Sequence, residues 1–103
     1  FAPCGPWITT KDEIRDPQNL QIVTKVNGET RQNSSSSKMV ISIEKIISSL
    51  SKVMTLESGD IISTGTPAGV EMSMKDPRYL KDGDVVEITI ENLGTIRNRI
   101  TFV

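Results

Sequence analysis

Thirteen isoleucines, eight valines and ten threonines make 31 of the 103 residues β-branched. Side chains that fork at Cβ lose freedom in a helix and pack well on a pleated surface, so the chain is expected to be mainly β. Leu20 to Val26 reads as a strand, with Leu20, Ile22, Thr24 and Val26 on one face. Asn27-Gly28 follows, a strong two-residue hairpin signal because both positions tolerate positive φ. The partner strand is expected from Glu29 to Gln32, with Val26 opposite Glu29 and Thr24 opposite Arg31, before a polar loop from Ser34 to Ser37. Val85 to Glu91 alternates, with Val86, Ile88 and Ile90 facing one way. Asn92-Leu93-Gly94 suits a hairpin connection, and Ile96, Ile100 and Phe102 continue the apolar face on the return strand. That register sets Glu87 opposite Arg99 and Thr89 opposite Arg97. Ile61 to Thr64 is expected as a short buried strand.

One helix interrupts this pattern. Ser42 is a plausible N-cap, with Glu44 in the first turn where the helix dipole favours an acid. Ile43, Ile46, Ile47, Leu50, Val53 and Met54 recur at spacings of three and four, an amphipathic stripe expected to pack in the core. No internal repeat and no domain boundary interrupts the chain. The reading is a mainly β domain with one helix (α+β).

Composition excludes several functions. Twelve basic residues scattered among 13 acids give a formal charge of −1, which argues against non-specific nucleic-acid binding. Four aromatic residues are too few for a base-stacking platform. No apolar run approaches the roughly 20 residues of a membrane span. The single cysteine, Cys4, has no intrachain disulfide partner and no metal-ligand spacing with a second thiol. The chain has no histidine, so it cannot by itself assemble a Ser-His-Asp triad, a Cys-His pair or a histidine-based zinc site. The opening Phe1-Ala2-Pro3-Cys4-Gly5-Pro6-Trp7-Ile8 reads as an ordered, extended connection whose Trp7 needs something to pack against. A chain that begins in mid-domain is the expectation drawn from it.

The most informative segment for chemistry is Ser63-Thr64-Gly65-Thr66-Pro67-Ala68-Gly69. Its glycines let backbone approach a ligand closely, and its hydroxyls and N–H groups suit carboxylate or carbonyl oxygens. The spacing is not that of a phosphate-binding P-loop, and a plain strand-ending turn explains the same residues. Asp82 and Asp84 flank Gly83 in a turn and, with Asp12-Glu13, are read as solvated surface. No Glu-x-Glu pair offers a magnesium or calcium site.

Several blocks together resemble one family. Gly5-Pro6-Trp7-Ile8, Asp16-Pro17-Gln18-Asn19-Leu20, Lys25-Val26-Asn27-Gly28-Glu29 and Arg31-Gln32 occur in this order in the fumarylacetoacetate hydrolase family. So do Met54-Thr55-Leu56-Glu57-x-Gly59-Asp60-Ile61-Ile62, Thr64-Gly65-Thr66-Pro67-Ala68-Gly69-Val70, Gly83-Asp84-Val85-Val86-Glu87 and Leu93-Gly94-Thr95-Ile96-Arg97-Asn98. The resemblance spans essentially the whole chain and is greatest to 2-hydroxyhepta-2,4-diene-1,7-dioate isomerase, decarboxylase and acylpyruvate hydrolase members.

That resemblance implies a mixed β-sandwich roll, of which residues 1–103 are the C-terminal portion and a partial domain. It implies a cytoplasmic homodimer acting on a small-molecule 2-oxo acid, with neither nucleic acid nor membrane as partner. A divalent metal, Mg²⁺ first and Mn²⁺ or Ca²⁺ as alternatives, would be bound by three carboxylates upstream of Phe1. As a Lewis acid it would stabilise an enolate during C–C hydrolysis, decarboxylation or isomerisation. No metal ligand and no catalytic residue is expected within this chain. Thr66 matches the position that binds a substrate carboxylate, Gly65 the neighbour that allows close approach, and Thr64 is a further substrate-binding candidate. Glu71 departs from the family pattern, which usually has Gly there, and is read as pointing to solvent rather than altering substrate choice. The rival readings are a freestanding β module that binds a partner without catalysis, and an inactive fragment.

Overall fold

The computed structural model describes residues 2–103; Phe1, the first residue of the opening run, lies outside them. Among the described residues the chain is mainly β with a single α-helix, as expected. Four strands, β1 (Gln21–Val26), β2 (Glu29–Ser35), β3 (Val85–Ile90) and β4 (Gly94–Arg99), form one sheet in the order β2-β1-β3-β4. All three pairings are antiparallel. The helix α1 (Ile43–Leu50) follows a 3₁₀ turn at Ser36–Lys38, and a second 3₁₀ turn covers Glu71–Ser73.

The Asn27-Gly28 turn forms as its sequence requires, with both residues at positive φ and Val26 opposite Glu29. Beyond it the register departs from expectation. Lys25 pairs with Thr30, but Thr24 pairs with Gln32 instead of Arg31, so β2 carries a β-bulge that leaves Arg31 as the extra residue. β2 also runs on through Ser34 and Ser35, where a polar loop was expected, because Ile22 and Gln21 on β1 pair with them. An edge strand tolerates such polar residues, since its other side need not be buried.

The second hairpin is correctly placed but shifted by two residues. Ile90 pairs with Gly94, so Glu87 faces Arg97 and Thr89 faces Thr95, instead of Arg99 and Arg97. The chain turns on Asn92, at φ 62°, and Gly94, at φ 90°. A shift of two keeps every side chain on its expected face, because strand periodicity is two. The outer face gains an ion pair between Glu87 and Arg97 at 3.4 Å. The register places Ile22, Val26, Val86, Ile88, Ile90 and Ile96 together on the other face. The edge of the Trp7 ring lies over Gly94, where a Cβ would sit 2.8 Å from two ring carbons. Trp7 does find packing, yet it stays 62% exposed.

Three expected features change. Ile61 to Thr64 is not a strand; no described strand pairs with it in a ladder, and Ile61 is 82% exposed. Helix α1 ends at Leu50 rather than continuing to Met54, and none of its residues is fully buried. Its apolar stripe is therefore half-covered rather than core. The return strand stops at Arg99, and Phe102 is exposed. Only Ile14 and Leu20 form a buried apolar core among the described residues.

Candidate functional site

The loop 63–69 lies against β2, and two consecutive β2 residues hold it there. In a regular strand neighbouring side chains diverge to opposite faces. At the bulge Gln32 reaches this loop and Arg31 reaches Glu71, in the 3₁₀ turn that follows it. The Gln32 side-chain amide donates to Thr66 Oγ1 at 3.0 Å and to the Pro67 carbonyl at 2.9 Å. Arg31 donates from Nη1 to Glu71 Oε1 at 2.7 Å. Gly69, at φ +105°, is pressed so close to β2 that a Cβ would lie 2.5 Å from the Arg31 carbonyl oxygen. Gly65, at φ +96°, has open space where its Cβ would be. One glycine therefore serves contact within the chain, and the other serves backbone conformation.

Glu71 does not point to solvent, contrary to the sequence expectation. Its side chain is 19% exposed, that of Arg31 is 13% exposed, and Glu71 also accepts from the Arg78 backbone N–H. Arg78 makes a two-pronged pair with Glu29 at 2.7 and 3.1 Å, and Glu29 lies 3.7 Å from Arg31. The Arg78 guanidinium holds the Glu29 carboxyl below its ordinary range. Arg31 Nε is buried without a hydrogen-bond partner among the described residues, so the Glu71 pair matters more to that guanidinium.

The loop also lines an open groove of about 790 Å³, with Asn33, Ser34 and Ser35 of β2 among the other lining residues. Thr64, Gly65 and Thr66 all line it, with Pro67 and Ala68 beside them. Ile22 and Ile90 from the sheet, and Ile43 and Ile46 from α1, supply its apolar walls. Lys38 is the one charged residue among those lining it. The floor is fixed by Ser36, which is 7% exposed. Its hydroxyl donates to the Pro17 carbonyl and accepts from Leu20 N–H, both at 2.8 Å. Gln18 joins this floor to the helix: its Nε2 donates to Ser36 O at 2.8 Å and its Oε1 accepts from Ile43 N–H at 3.0 Å. Ser42 caps the same helix through Lys45 N–H at 3.3 Å, as expected.

The structure thus places all three candidate binding residues on one groove. Sequence reasoning missed Gln32, Arg31, Gln18 and Ser36. Arg31-Gln32 stands in a family motif, but its contacts reach 34 to 40 residues along the chain, beyond any local spacing rule. Among the described residues no group of three or more His, Cys, Asp or Glu could hold a metal ion. These residues therefore do not fit a metal centre. No described helix is long and apolar enough to cross a membrane.

The profile described as Fumarylacetoacetate (FAA) hydrolase C-terminal matches residues 1–101. The chain belongs to the fumarylacetoacetate hydrolase family. An uncharacterized protein of Staphylococcus aureus strain USA300 is 49% identical over 99 residues, which are 96% of this chain and 33% of that protein. The chain thus spans about a third of the length of the curated relatives it matches. Among solved structures, the fumarylacetoacetate hydrolase of Exiguobacterium antarcticum superposes with a TM-score of 0.93 at 46% identity, over 98% of this chain and 36% of that one. The maleylpyruvate hydrolase of Sphingobium sp. SYK-6, in complex with manganese(II) and pyruvate, gives 0.84 at 40% identity, over 94% and 34%. The 2-hydroxyhepta-2,4-diene-1,7-dioate isomerase of Mycobacterium marinum gives 0.80 at 42% identity, over 94% and 34%. The fumarylacetoacetate hydrolase family therefore spans both hydrolases and isomerases among the structures this chain resembles.

Proposed function

We propose that residues 1–103 are the C-terminal portion of a longer enzyme that acts on small 2-oxo acids, and that they form the wall binding the substrate's carboxylate. The observation that carries this reading is the convergence of Thr64, Gly65 and Thr66 on a groove whose one charged lining residue is Lys38. A hydroxyl, backbone N–H groups and an ammonium suit a carboxylate, and the isoleucines of α1 and the sheet suit its carbon chain. Thr66 binds and orients, Gly65 keeps the approach open, and Thr64 completes the rim. Held in one pose, the substrate reacts beside its 2-oxo group by C–C hydrolysis, decarboxylation or a double-bond shift. The complex of the Sphingobium hydrolase with manganese(II) and pyruvate supports a divalent metal and a 2-oxo acid for this chain's enzyme as well. Mg²⁺ is the metal proposed first, with Mn²⁺ or Ca²⁺ as alternatives, on carboxylates outside these residues, in a cytoplasmic homodimer.

The test is a panel of acylpyruvates, oxaloacetate and hydroxy-diene-dioates with the full-length protein and each metal. At least one substrate is expected to turn over, and Thr66→Val to raise its KM about tenfold, the loss of one charge-assisted hydrogen bond. Full-length, metal-loaded protein that neither turns over any of these acids nor binds pyruvate would overturn the reading in favour of a non-catalytic binding module.

A further inference from the structure

We propose that Gln32 is a positioning residue that turns the Thr66 hydroxyl into a hydrogen-bond donor aimed at the groove. This deepens the reading above and rests on it for the identity of the ligand. The argument is one of donors and acceptors. The Pro67 carbonyl oxygen can only accept, so the Gln32 atom 2.9 Å from it is the NH₂ nitrogen, and the amide's orientation is fixed. The same nitrogen lies 3.0 Å from Thr66 Oγ1. An amide nitrogen has two hydrogens and accepts nothing, so one hydrogen goes to Pro67 and the other to Thr66. Thr66 Oγ1 must accept, and its own hydrogen is left to point elsewhere. Thr66 is exposed and lines the groove, so that hydrogen has the groove to point into.

Two consequences follow for chemistry. A hydroxyl committed as donor recognises a group rich in lone pairs, a carboxylate, over the NH₂ end of a carboxamide. Gln32 also cannot take a proton from Thr66, because the amide already donates to it. That contact therefore does nothing to activate the hydroxyl as a nucleophile, and it serves a binding role. The bulge at Arg31 and the tight approach of Gly69 to β2 keep Gln32 within reach of both acceptors.

The experiment compares pyruvate with pyruvamide in the full-length, metal-loaded protein. Gln32→Glu replaces the donor by an acceptor that draws the Thr66 hydrogen back toward β2. The preference for pyruvate over pyruvamide is expected to fall about tenfold, as for one charge-assisted bond. In a Thr66→Val background the same substitution should move that preference less than about twofold, which separates hydroxyl orientation from the charge of the new carboxylate. A merely structural role would weaken both ligands equally, and an unmoved preference, or an equal fall in the Thr66→Val background, overturns the proposal. Failure of the protein to bind either ligand counts against the 2-oxo acid reading alone. The Gln32 side-chain NH₂ resonances then judge the positioning role in otherwise unaltered protein. Thr66→Val should shift one of the two amide protons far more than the other, and no shift overturns the proposal.

Discussion

A methyl group on Gly69 would meet the carbonyl oxygen of Arg31 at 2.5 Å, and its φ of +105° is a conformation that L side chains rarely adopt. Neither obstacle yields easily, since the atom in the way is backbone. Gly69→Ala is expected to destabilise the full-length protein by about 2 kcal/mol and to raise KM with it, because the loop that carries Thr66 must move off β2. Urea unfolding and steady-state kinetics on the same variant check this, and a stability change within about 0.5 kcal/mol would refute it. At this scale the sequence was legible where chemistry is local. Thr64, Gly65 and Thr66 lie together in one short motif and reach one groove together. Glu71 was misread because its partner Arg31 lies 40 residues earlier in the chain, and a lone acid in a loop looks solvated until its cation is seen. Gln32 stands in a family block, but nothing local marks its reach to Thr66, 34 residues along the chain.

At the scale of elements, Asp84 shows how a turn residue joins two hairpins. Its carboxylate accepts from Asn27 Nδ2 at 2.9 Å and from Lys81 N–H at 2.8 Å, while Asn27 Oδ1 accepts from Val85 N–H at 2.9 Å. These bonds, the Asn27 amide foremost, hold the Asp84 carboxyl below its ordinary value of 3.8. A carboxyl whose folded value is depressed contributes stability above its unfolded value, and that contribution is lost as pH falls through the folded one. Wild type is therefore expected to be more stable than Asp84→Asn at neutral pH, with the gap closing as pH falls below the ordinary 3.8 and through the depressed folded value. Urea midpoints over that range read it directly, and a gap independent of pH would contradict the assignment. Strand identity and face were legible because a period of two survives a shift of two, as in the hairpin of β3 and β4. The pairing partners were not. Where Gly94 enters the ladder is a matter of turn geometry, and the bulge at Arg31 leaves the hydrophobic pattern almost untouched. Helix α1 stops four residues short of Met54, with Val53 81% exposed, because the stripe has little to pack against beyond Leu50.

At the scale of the molecule, exposed area is the controlling quantity. A folded monomer of this mass has an accessible surface of about 5,700 Å². This chain exposes 8,404 Å², and among the described residues no large side chain is fully buried. Strands β2 and β4 are the edges of the sheet, and Trp7, Ile47 and Ile61 are open. The 103-residue chain by itself is expected to unfold without a cooperative transition, to self-associate through its edges and apolar face, and to show no metal-dependent turnover. Light scattering, a urea titration and an acylpyruvate assay on the isolated chain check all three. A sharp transition from a monodisperse, active monomer would mean that these residues form a self-sufficient unit. The mainly β class was legible from composition, since β-branched residues act through local backbone preference, whereas burial depends on what covers a face. The bulge on β2 has a further consequence for anyone building chimaeras within the family. The loop 63–71 is not a free-standing module, because its anchors are Arg31 and Gln32. Transplanted alone, it arrives without its clasp; moved together with residues 29–32 and their extra backbone unit, it carries its own geometry into the host.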